Sequence, residues 1–174
     1  MNATLLPRPS SLAREAFVAR FGGIYEHSPW VAGEVFENGL GAADDTPEAL
    51  AASMAKVVEA AGRERQLALL RAHPELAGKL AIAGALTVDS RSEQASARLD
   101  QCEPEEFARF TALNAQYGAR FGFPFIIAVR GLQRADILAA FEQRIGNGPE
   151  QELRTALDQV HRIAWLRLSA LPQA

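Results

Sequence analysis

Residues 121–131 read FGFPFIIAVRG, the one run in the chain that argues against a helix. Pro124 removes a backbone donor and biases Phe123 toward extended geometry, while Ile126, Ile127 and Val129 are β-branched. A strand needs a partner for its backbone groups, and the sequence offers no second run of this kind. The stretch therefore reads as an extended apolar segment near 123–129 lying against helices, and the chain as all-α.

The flanks agree. Upstream, Glu103-Pro104-Glu105-Glu106 opens a helix on which Phe107, Phe110, Asn114, Tyr117 and Phe121 recur at steps of three and four, one aromatic face interrupted by Asn114. Downstream, Gly146-Asn147-Gly148 separates a helix over about 134–145 from one over about 149–169. In the last helix Leu153, Leu157, Val160, Ala164 and Leu168 form a buried stripe, with Arg167 at its edge.

Nearer the start, a loose segment containing prolines leads to a helix capped by Ser10 or Ser11, and Gly22-Gly23 closes it. Ser28 and Pro29 begin a short helix running to Phe36. Asp44-Asp45-Thr46-Pro47-Glu48 is the clearest helix start, with cap, proline and acids in order. That helix runs to about Gly62, and another follows to Ala72. Residues 75–89 have no clean period and read as a partly helical connection. Ser90 then caps a helix that fades near Cys102, with Glu93 at capping-box spacing. The whole is a single-domain bundle of about eight helices over residues 1–174, with no repeat, linker or composition break.

With 174 residues, of which 48% are hydrophobic, the chain can bury an ordinary core. A net charge of −3 with no run of one sign argues against a nucleic-acid partner. No apolar stretch approaches the ~20 residues of a membrane span, and the first residues lack a signal-peptide core. Cys102 is the only cysteine, which excludes an internal disulfide and a cysteine-based zinc site. His27, His73 and His161 have no metal-ligand spacing, and no phosphate loop or nucleophile elbow is present. The expectation is a cytoplasmic protein without metal or cofactor, whose chemistry, if it has any, is acid–base.

Two ends of one connection could supply it. Residues 73–94 read HPELAGKLAIAGALTVDSRSEQ. His73 can exchange a proton near neutral pH, yet on position alone the better reading is a helix-end histidine facing the carbonyl end of the dipole. Glu93 is a carboxylate in a compact polar set with Ser90, Ser92 and Gln94, or simply the acid of a capping box. Arg167 is a cation aimed into a pocket, or a side chain that snorkels to water. Asn114, among aromatics, needs hydrogen-bond partners, most often those of a neighbouring loop.

As a set, HPELAG at 73–78, LTVDSRSEQ at 86–94, LNAQYGARFGFPFIIAVR at 113–130 and HRIAWLRL at 161–168 resemble the 2-oxo-4-hydroxy-4-carboxy-5-ureidoimidazoline (OHCU) decarboxylases. FVARFGGIYEHSPWVA at 17–32 extends the likeness to nearly the whole chain. These enzymes complete the oxidation of urate to allantoin. The resemblance implies an all-helical homodimer that needs no cofactor and acts on OHCU. Residue by residue, it makes His73 the catalytic histidine with Pro74 beside it, and Glu93 the essential glutamate. It places Ser90, Arg91, Ser92 and Gln94 against the substrate, together with the backbone of Phe125, Ile126, Ile127, Ala128 and Val129. It makes Arg167 the substrate-binding arginine. One departure stands out: Arg98 occupies a position where relatives often carry glycine, a change that bears on helix packing or dimer contacts.

Two other readings are weighed. A helical binding module that has lost the reaction would be expected to have lost His73, Glu93 or Arg167 as well. An enzyme of the same design could decarboxylate a different heterocyclic acid.

Overall fold

Eight α-helices form among the residues that the computed structural model describes, which are 3–78, 81 and 83–174. They are α1 (Arg14–Phe21), α2 (Trp30–Glu37), α3 (Pro47–Ala60), α4 (Arg63–Arg71), α5 (Val88–Ser96), α6 (Pro104–Phe121), α7 (Arg134–Ile145) and α8 (Pro149–Ser169). No strand occurs among the described residues, apart from an isolated bridge between Leu5 and Gln173. Residues 124–129 are neither helix nor strand, as their proline and missing partner require. The partly helical connection expected over 75–89 lies in part outside the described residues. No described helix is long and apolar enough to cross a membrane.

The chain divides into two compact units, one comprising residues up to Ala72 together with His161–Ala174, the other His73–Val160. In the first, Thr46 caps α3 by accepting from the Ala49 amide at 3.2 Å, with Pro47 at the first helical position. Phe17, Phe21, Leu50, Met54 and Leu70 are buried at its core. The segment around Thr4 and Leu5 is not loose. Leu5 is buried, its amide bonds the Asp45 carbonyl at 2.8 Å, and Thr4 exchanges two backbone bonds with Ala174. Asp45 also accepts from the amide and hydroxyl of Ser10, at 2.8 and 2.9 Å, so it anchors a segment 35 residues away. An acid that looks like helix-start charge is in fact a long-range clasp.

In the second unit α6 presents Phe110, Asn114 and Tyr117 inward. Tyr117 meets Phe123, Phe125 and Phe141 edge-on, and Phe125 stacks on Phe141 at 3.9 Å between centroids. Gly122 ends α6 at φ +76°, a conformation that favours glycine. The chain can then turn sharply into the extended segment.

Arg98 takes the same left-handed geometry, φ +57° and ψ +32°, between α5 and the short turn at Leu99–Gln101. This explains why glycine suits the position: a Cβ there costs about 1 kcal/mol. Arg98→Gly is expected to stabilise the protein by roughly 0.5 kcal/mol, the gain being offset in part by glycine's larger unfolded-state entropy. A thermal melt should show a rise of about 1–2 °C. A fall would mean that the arginine side chain contributes more than the backbone strain costs.

Candidate active site

Helix α5 begins earlier than its serines suggest. Thr87 is the cap, accepting from the Ser90 amide at 3.2 Å, so Ser90 lies inside the first turn. The expected Ser90 cap and its capping box with Glu93 are thereby corrected. Two candidate caps stand three residues apart, and the threonine wins. Glu93 is left in the second turn, beyond the terminal amides it would have capped. Along α5 and the Ala97 that ends it the inward stripe is Ser90, Glu93, Gln94 and Ala97, of which Ser90, Gln94 and Ala97 are buried and Glu93 half-buried. Arg91 and Ser92 fall on the exposed side. Arg91 uses its guanidinium on the Gly84 carbonyl at 2.9 Å and the Leu86 carbonyl at 3.5 Å, bracing the turn before the helix.

Gln94 joins this helix to the histidine motif. Its Oε1 accepts from the Ala77 amide at 3.1 Å and its Nε2 donates to the Glu75 carbonyl at 3.3 Å. Both ends of the amide are therefore committed to the loop that follows His73. Asn114 of α6 donates to the Leu76 carbonyl at 2.9 Å, the loop-pinning role its setting called for. The loop needs such ties because Ala77 is held at φ +49°, a conformation costly for a residue with a Cβ. Gly78 closes the loop, where an added Cβ would lie 2.7 Å from Glu75 Cβ. His73 follows α4 directly and is 8% exposed, and Pro74 beside it is half-buried. Helix α6 thus touches the histidine loop through Asn114 and the extended segment through Tyr117, three residues further on. A cavity of about 570 Å³ opens beside α5 and the loop after His73, lined by Ala77, Leu86, Arg91, Gln94, Leu99 and Phe107 among others. Glu93 and His73 are not among its described lining residues.

The extended segment is gripped along one edge. Arg144 donates from Nη1 to the Ile126 carbonyl at 2.7 Å, and the Ala128 amide donates to Gln159 Oε1 at 2.9 Å. The Ala128 amide is thus committed to Gln159. Beneath the segment lies a buried charge network. Glu152, fully buried, takes Arg144 Nε at 2.8 Å, the Tyr117 hydroxyl at 2.5 Å and Asn147 Nδ2 at 2.8 Å. The Arg144 guanidinium also lies 4.4 Å from the centre of the Phe125 ring. Burial first, and then the Glu152 carboxylate, push the Tyr117 hydroxyl far above its ordinary range, so it remains a donor. None of these partners carries a signal in sequence, since Arg144, Glu152 and Gln159 look like surface residues of amphipathic helices.

Arg167 belongs to the first unit. It is 5% exposed, its Nη1 lies 2.8 Å from Glu26 Oε2, and it reaches the Gly23 and Ile24 carbonyls at 3.4 Å. Glu26 itself is 1% exposed, a buried counter-charge that spacing does not reveal. The neighbouring Tyr25 hydroxyl lies 2.7 Å from His161 Nδ1, whose Nε2 meets Glu59 at 2.8 Å. A carboxylate at Nε2 favours a proton there, leaving Nδ1 to accept from Tyr25. Burial, assisted by the Glu59 charge, holds the Tyr25 hydroxyl protonated. His161 is therefore a fixed bridge in the fold.

The family model described as OHCU decarboxylase matches residues 10–169. A 2-oxo-4-hydroxy-4-carboxy-5-ureidoimidazoline decarboxylase of Haloferax volcanii is 43% identical, over 97% of this chain and 96% of its own. The mouse protein of the same name is 39% identical over 89% of this chain and 85% of its own. Among solved structures, an (S)-allantoin synthase superposes with a TM-score of 0.74 at 35% identity, covering 93% of this chain and 52% of that one. The chain belongs to the OHCU decarboxylase family.

Proposed function

We propose that this protein decarboxylates OHCU to (S)-allantoin, in the degradation of urate. The observation that carries the reading is the tie between α5, which bears Glu93, and the loop after His73, made through both ends of the Gln94 amide. The names of relatives matching nearly the full chain support the substrate.

The substrate bears a hydroxyl and a carboxylate on one ring carbon, next to a carbon–nitrogen double bond. When the carbon–carboxylate bond breaks, its electron pair forms a carbon–carbon double bond, and the former double-bond pair moves onto nitrogen, which takes a proton. Carbon dioxide leaves and an enol remains. The enol then loses its hydroxyl proton and gains one at the neighbouring ring carbon, giving the carbonyl product. The substrate is its own electron sink, so the protein has to orient it and move protons.

His73 performs the proton transfer. Glu93 hydrogen-bonds the hydroxyl or ureido group, and Ser90 and Pro74 shape the surroundings. The segment Phe125–Val129 offers backbone groups to the ring carbonyls. Arg167 attracts the anionic substrate, its guanidinium held by Glu26. Gln94 and Arg91 hold the neighbouring loop and turn, and Ser92 completes the motif from the outer side of α5. The two units act as one functional domain, which the family match across both supports. The protein works as a cytoplasmic homodimer, on the strength of its family resemblance.

The test is release of carbon dioxide from OHCU freshly made from urate. One equivalent is expected promptly on adding protein. Release no faster than in buffer would favour the binding-module reading.

A further inference from the structure

We infer that Gln159 is a positioning residue for this reaction: by holding the Ala128 amide, it aims the opposite edge of the extended segment, the amides of Ile127 and Val129, at the carbonyls of a planar cyclic ureide. The inference rests on the proposed decarboxylation and adds to it.

In extended backbone the amide and carbonyl of one residue point to one edge, and those of the next residue to the other. The Ile126 carbonyl and the Ala128 amide, two residues apart, share an edge. Both are held by side chains, from Arg144 of α7 and Gln159 of α8. The opposite edge carries the Ile127 and Val129 amides, which have no protein acceptor among the described residues. The flanking residues Ile126, Ala128 and Val129 are buried, whereas Ile127 is half-buried. Buried backbone donors are almost always satisfied in a working protein, so an edge of this kind suits a ligand with spaced carbonyl acceptors. A ring carrying cyclic amide carbonyls is such a ligand. Two clamps on the far edge prevent the segment from rotating about its own axis, which would swing both amides away together. Arg144 is fixed in turn by Glu152 and Phe125, whereas Gln159 is half-buried and can be changed with little damage to the core.

The experiment compares wild type with Gln159→Met, which removes the acceptor at similar volume, and Gln159→Glu, which keeps an oxygen there. Steady-state rates with fresh OHCU and the optical purity of the allantoin formed are read alongside thermal melts. Amides that bind ring carbonyls do so in both substrate and transition state, so their misalignment raises KM more than it lowers kcat. For Gln159→Met, KM is expected to rise about tenfold with kcat within about threefold, and optical purity to fall. Gln159→Glu recovers most of the KM. A merely structural glutamine would lower the melting temperature and leave KM and optical purity unchanged in the folded fraction, and that result overturns the inference. If the methionine variant does not fold, Gln159→Asn, one methylene too short to reach Ala128, is read in the same way. A wild-type protein without turnover overturns the proposed function and this inference together. An active wild type with unchanged variants overturns this inference alone.

Discussion

His73→Asn lowers kcat by about a hundred- to ten-thousandfold, the span that a positioned proton-transfer group contributes. Asparagine keeps a polar group near one ring nitrogen but cannot exchange a proton at neutral pH, so it separates hydrogen bonding from proton transfer. The fold should survive, because the loop after His73 is held independently by Gln94 and Asn114. A melting temperature within a few degrees of wild type accompanies the loss. A variant that turned over at the wild-type rate would remove His73 from the chemistry and return it to the role of a helix-end histidine.

The second large effect is on stability. Glu152→Ala strands the Arg144 guanidinium inside the second unit and takes acceptors from Tyr117 and Asn147 at once. Breaking one side of a buried ion pair costs about 3–5 kcal/mol, for a chain of this size a drop of roughly 10 °C in melting temperature. The double variant Arg144→Met with Glu152→Gln removes the stranded charge and keeps an acceptor for Tyr117. It is expected to melt above Glu152→Ala, yet below wild type because the Ile126 carbonyl loses its donor. Chemical denaturation of the three proteins checks the order. A loss below 1 kcal/mol in Glu152→Ala would mean that water reaches the pair.

Much of the fold could be read from local patterns. The Gly146-Asn147-Gly148 break, the proline-led starts at Pro47, Pro104 and Pro149, and the aromatic steps along α6 each depend on neighbours within a turn or two, and each appears where expected. What escaped depends on distance in sequence. Asp45 looks like helix-start charge because its true partner, Ser10, is remote. Thr87 and Ser90 are both competent caps, and spacing to Glu93 favours the wrong one. Glu26, Arg144 and Glu152 are charges that only a partner across space can keep inside.

The site was legible in a different way. Periodicity alone left His73, Glu93 and Arg167 with structural readings at least as good as functional ones, and the set of family motifs tipped the balance. The structure adds what motifs omit. It takes Glu93 out of the cap, commits Gln94 to the histidine loop, and assigns the Ala128 amide to Gln159.

The most direct measurement follows circular dichroism while the protein acts on OHCU made fresh from urate. Rapid growth of the signal of one allantoin enantiomer, the (S) form, is the expected result, since decarboxylation with proton delivery to a single face leaves the product optically active. Slow formation of racemic allantoin at the rate seen in buffer would contradict the account.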